Sequence, residues 1–125
     1  MKWRSFAAAA LLLVPGLAAA QSMNAEQFNR RAASLQGKGM LAVFSGGEIK
    51  ALTGEAQAAS KRAVENRRAA IAAGQAPRFC PPKGAFSMND KELMASLSAI
   101  PAAERTRIDM TEAMTRIFAG RFPCR

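Results

Sequence analysis

Two cysteines and no histidine set the chemistry open to this chain. Cys80 sits in Phe79-Cys80-Pro81-Pro82, and Cys124 closes Phe122-Pro123-Cys124. As free thiols they could attack a substrate, exchange electrons or hold a metal. Redox exchange favours a Cys-x-x-Cys spacing, which these two lack. Two thiols without an imidazole make a poor zinc site. The missing histidine also removes the commonest general base. Ser60 and Lys61 are neighbours, but adjacent helical residues point to different sides. Glu55, Glu65, Asp90, Glu92 and Glu112 could supply a carboxylate pair, yet each suits a surface or capping role better. Gly46-Gly47 reads as a turn and matches no phosphate loop. Met40, Met94, Met110 and Met114 carry soft sulfur suited to copper. Spaced along helices, they fit core filling better. The residue types lead to a non-catalytic protein with no metal and no cofactor.

The first twenty residues supply a compartment for the cysteines. Lys2 and Arg4 precede an apolar run from Phe6 to Val14, the breaker Pro15-Gly16 and the small residues Ala18-Ala19-Ala20. This is the pattern of a cleavable Sec-type signal peptide, with cleavage expected after Ala20. The run is about half the ~20 residues that a membrane-spanning helix needs. A periplasmic or secreted protein is therefore expected, in a compartment where thiols oxidise. Cys80 and Cys124 are expected to be joined as a structural disulfide.

The expected mature chain, 21–125, shows no repeat, no linker and no second domain. Without Lys2 and Arg4, the eighteen basic residues fall to sixteen, against nine acidic ones. Arg30-Arg31, Lys61-Arg62 and Arg67-Arg68 concentrate that surplus. Nucleic acid is disfavoured as a partner by export and by the lack of aromatics interleaved with the basic residues. Lys61, Arg62, Arg67 and Arg68 form a candidate basic face for an anionic envelope surface or an acidic protein.

Composition and spacing predict an all-α domain of four to five helices. Asn24, with Gln27 three residues on, marks a helix start. That helix is expected over 25–36, with Phe28, Ala32 and Leu35 on one face and Gly37 and Gly39 ending it. Met40 to Phe44 is a short apolar run that periodicity cannot decide; helix is favoured over strand because no partner strand exists. After Ser45-Gly46-Gly47, a long helix is expected from Glu48 or Glu55 to Ala73, stopped by Gly74. Its inner face is thin: Leu52, Ala56, Ala59, Ala63, Val64, Ala70 and Ile71. The proline-rich stretch from Gln75 to Ser87 reads as an ordered surface loop pinned by Cys80. Asn89 and Glu92 form a second capping box, opening a helix with Leu93, Met94 and Leu97 inward. Pro101 ends or kinks it. A last helix is expected over 102–119, burying Ile108, Met114, Ile117 and Phe118.

Residues 79–124 also carry a family likeness. Phe79-Cys80-Pro81-Pro82-Lys83-Gly84, a serine before a helix bearing Leu93 and Leu97, Ile100-Pro101, and an amphipathic helix ending in Phe122-Pro123-Cys124 follow one another in order. This C-terminal half resembles the Tai-type (Rap/Tai) immunity proteins, periplasmic antidotes to type VI secretion amidase effectors. The resemblance implies steric inhibition of a peptidoglycan-cutting enzyme by a rigid helical domain. Pro81, Pro82, Lys83 and Phe86 would form the presenting loop. The alternative expectation is an envelope structural or stress protein that binds anionic surfaces through its basic helix.

Overall fold

The computed structural model describes residues 22–39, 45–83 and 87–125. The expected leader, the Met40–Phe44 run and Phe86 lie outside the described residues. Those described fold as five helices: α1 (Ala25–Lys38), α2 (Gly46–Ala72), α3 (Asp90–Ala99), α4 (Ala102–Arg105) and α5 (Met110–Arg121). The all-α class is borne out.

Local chemistry explains most of the boundaries. Asn24 caps α1, its Oδ1 accepting from the backbone N–H groups of Glu26 and Gln27. The expected box is one-sided: no bond returns from the Gln27 side chain to the Asn24 backbone N–H among the described residues, and the Asn24 side-chain Nδ2 donates to the carbonyls of Thr106 and Ile108. Helix α1 runs through Gly37 and stops at Gly39, whose φ of 53° suits a residue without a side chain. Helix α2 starts earlier than expected, with Gly46 and Gly47 inside its first turn. It ends as a Schellman motif: the Gln75 N–H reaches Ala70 O, the Gly74 N–H reaches Ile71 O, and Gly74 takes φ 74°. The Asn89–Glu92 capping box forms in full.

The expected last helix is divided. Pro101 begins the single turn of α4, and the chain then breaks at 106–109 before Asp109 caps α5. The Asp109 side chain accepts from the Glu112 N–H at 2.8 Å. Gly120 does not stop α5, which continues to Arg121. The break gives Asp109 extended backbone, so it can pair with Asn24. The Ala25 N–H donates to Ile108 O at 3.0 Å, and the Met110 N–H to Met23 O at 2.7 Å. The starts of the first and last helices are thereby fastened together.

Helix α5 is the hub of the core. Met110, Ala113, Met114, Ile117 and Phe118 are all buried, and α5 packs on α1, α2 and α3. Its broadest seam is with α2, where Ala59 and Ala63 are fully covered. Small side chains there let the backbones approach closely while burying little area each. Phe28, Leu52, Phe79 and Leu97 complete the core, with Leu93, Met94 and Ile108 packed at its edge. Ile71 departs from the expected inner face and is 47% exposed, past the end of the seam.

One ion pair lies inside this framework. Arg105 and Glu26 are both buried, with Nε and Oε2 2.9 Å apart. The other arm of Arg105 donates to the carbonyls of Ser98 and Ile100. A single cation thus neutralises a carboxylate on α1 and collects the open carbonyls at the end of α3.

Candidate functional site

The loop after α2 is built outward from Phe79. That ring is buried and tilted against Phe118, with centroids 5.2 Å apart. The next residue, Cys80, donates its N–H to Phe122 O at 2.7 Å. The Cys80–Cys124 disulfide closes beside that bond, with Cα atoms 4.9 Å apart. Both cysteines are oxidised, so neither is a thiol nucleophile or a metal ligand.

Two arginines hold the loop from the other side. Arg67 of α2 lies 5.9 Å over the Phe79 ring and donates from Nε to the Phe79 carbonyl at 2.8 Å. Arg78 grips Glu112 of α5 with both terminal nitrogens. That hydrogen-bonded guanidinium holds the Glu112 carboxyl below its ordinary range, and the carboxylate raises Arg78 in return. Arg31 and Glu48 repeat the arrangement between α1 and α2, with Nε–Oε1 2.5 Å. There too, the hydrogen bond depresses the carboxylate.

The base of the loop is therefore fixed by α2, α5 and the C-terminal tail. Just beyond that base, Pro82 and Lys83 are exposed and Pro81 is half-buried. Proline fixes φ at two successive positions, which limits how far this stretch can move. At the base of the loop, a cavity of ≈ 280 Å³ opens between α2 and α5, rimmed by Arg67, Arg78, Thr111 and Glu112. Along the chain next to the clamp, residues 77–83 and 121–125 contain Arg78, Lys83, Arg121 and Arg125 and no carboxylate side chain. Arg121 is paired with Glu92 at 3.6 Å.

Protein-family models, curated proteins and solved structures yield no match to this chain.

The expected basic face is split by the structure. Lys61 and Arg68 are exposed, but Arg62 reaches back to Ser22 Oγ at 2.8 Å and Arg67 is the loop anchor. Adjacent residues are about 100° apart on a helix, so a basic pair cannot present both members to one surface. Lys50, not singled out from sequence, lies on the same exposed line as Lys61 and Arg68. Eighteen residues, the interval from Lys50 to Arg68, make about five full turns.

Several groups considered for catalysis carry structural duties. Glu55 accepts from the Met23 N–H at 2.7 Å. Glu92 completes the Asn89 capping box, and Ser60 donates to Ala56 O at 2.8 Å. Met110 and Met114 are buried in the core.

Proposed function

We propose that this is an exported, non-catalytic binding protein that inhibits a cell-wall hydrolase, as do the amidase-effector immunity proteins that residues 79–124 resemble. The supporting observation is the contrast within the loop. Its base is tied by a disulfide, two arginines and a buried ring, while Pro82 and Lys83 just beyond it are exposed. Two successive prolines beside a clamped base leave this stretch less freedom to lose on entering a cleft, which favours tight association. The surrounding Lys83 and Arg125 have no ion pair among the described residues and suit an acidic cleft rim.

The test is titration against peptidoglycan amidases, including any encoded beside this chain. A stoichiometric complex that abolishes amidase activity and survives moderate salt is expected. Lys83→Glu should raise the inhibition constant about tenfold or more while leaving the thermal midpoint unchanged. A panel in which no amidase is bound or inhibited would sink the reading. So would full inhibition by a variant in which Pro81-Pro82-Lys83 is replaced by Gly-Gly-Ser.

A further inference from the structure

The surplus of positive charge is not evenly available. Among the described residues, most arginines are engaged: Arg30 and Arg105 by Glu26, Arg31 by Glu48, Arg78 by Glu112, Arg116 by Glu104 and Glu112, and Arg121 by Glu92. Lys50, Lys61 and Arg68 are exposed and have no hydrogen bond or ion pair among those residues. They are aligned. Lys61 lies eleven residues beyond Lys50 and Arg68 seven further, so all three fall within about 20° of one line on α2. That line runs about 27 Å along the helix. The buried residues Leu52, Ala59 and Ala63 lie on the opposite side, about 180–220° around. The cations therefore line the face of α2 turned away from its buried residues. Glu65 is the one carboxylate near the line.

The ridge also has an apolar flank. Ile49 and Ile71 are the large hydrophobic residues most exposed among those described, at 42% and 47%. They are twenty-two residues apart, which puts them within about 40° of each other and on the same side of the cationic line. A straight, convex row of free cations with an isoleucine beside each end does not suit a cleft. It suits a flat, anionic and partly apolar surface, the situation of an interfacial helix. A soluble polyanion would satisfy the cations but would leave the isoleucines without a role.

We propose that the outer face of α2, through Lys50, Lys61 and Arg68 with Ile49 and Ile71, rests on anionic phospholipid headgroups. The assignment uses none of the residues that clamp the loop, although Arg67, the loop anchor, adjoins Arg68 at one end of the ridge. Each basic residue near an anionic bilayer strengthens binding about fivefold, so three together are worth about a hundredfold.

The test uses the full purified protein, disulfide intact, and sedimentation with vesicles of phosphatidylcholine alone or mixed equally with phosphatidylglycerol. Binding is expected only to the mixed vesicles and should weaken as salt is added. Lys50→Glu/Lys61→Glu/Arg68→Glu should lower the partition coefficient about a hundredfold or more. Ile49→Ser/Ile71→Ser should lower it severalfold and leave the salt dependence in place. A control triple, Lys91→Glu/Arg107→Glu/Arg125→Glu, has the same net charge and should retain most binding. The ridge variants touch exposed side chains only, so their helical circular dichroism should match the parent. The proposal is overturned by equal binding to both vesicle types or by no binding to either. It is also overturned if the control triple loses as much as the ridge triple, or if the protein binds a soluble polyanion but not vesicles.

Discussion

Replacing Arg105 with methionine is the most demanding test of how this domain holds together. Methionine keeps the apolar stem and removes the guanidinium. Glu26 is then left as a buried carboxylate, and the carbonyls of Ser98 and Ile100 lose their shared donor. Removing one partner of a buried ion pair costs about 3–5 kcal/mol. Arg30 remains 3.4 Å from the other oxygen of Glu26, but its side chain is 79% exposed and gives little relief. A loss of about 3 kcal/mol is the working figure, which lowers the thermal midpoint by about 12–24 °C in a domain of this size. Urea unfolding of Arg105→Met, Glu26→Leu and the double variant measures it. The double variant should be more stable than the sum of the singles predicts, by about 2 kcal/mol, because it leaves no orphaned charge. It should still fall below the parent, since the α3 carbonyls remain uncapped. Additivity within about 0.5 kcal/mol would refute the assignment of Arg105 and Glu26 as one mutually dependent unit.

Glu112 titrates lower in the folded protein than in the unfolded chain, so its contribution is complete above the ordinary carboxylate range and fades as pH falls through the depressed value. The stability gap between the parent and Glu112→Gln, read by urea midpoints, should therefore be largest near neutral pH and close below about pH 4; a gap that widens on acidification would contradict the Arg78 pairing. Cys80→Ser/Cys124→Ser opens a loop of 44 residues' separation and should cost up to about 4 kcal/mol. Reductant should shift the parent by the same amount and leave the double variant unmoved, both followed by urea denaturation.

Much of the helical framework was legible because its signals are local. Asn24 and Asn89 announce helix starts through side chains that reach only two or three residues along the chain. The disulfide could be expected without geometry, from a leader that resembles an export signal and from cysteines that lack redox or metal-site spacing. Asp109 and Glu112 show the same start pattern as Asn89 and Glu92, yet the amphipathic spacing across 102–119 concealed it. Periodicity there was continuous, while the backbone was broken to let Asp109 meet Asn24. The pairing of Arg105 with Glu26 spans 79 positions and has no local mark. The candidate sites fared unevenly for the same reason. Pro82 and Lys83 are exposed as the proline run implies, whereas Arg62 and Arg67 turn inward to partners that only tertiary structure supplies.

The joint between Asn24 and Asp109 bears on the order in which this chain can acquire its form. Helix α1 finds its cap partner, its ion-pair cation and much of its apolar cover in residues 97–118. A chain delivered from its N-terminus, whether from a ribosome or through a translocation pore, exposes α1 and α2 long before those residues arrive. The first half then has no hub to close upon, and contacts of such wide sequence separation form slowly. Folding is held back until the final stretch emerges, so the chain stays open for as long as it is in transit and sets its shape only at the end.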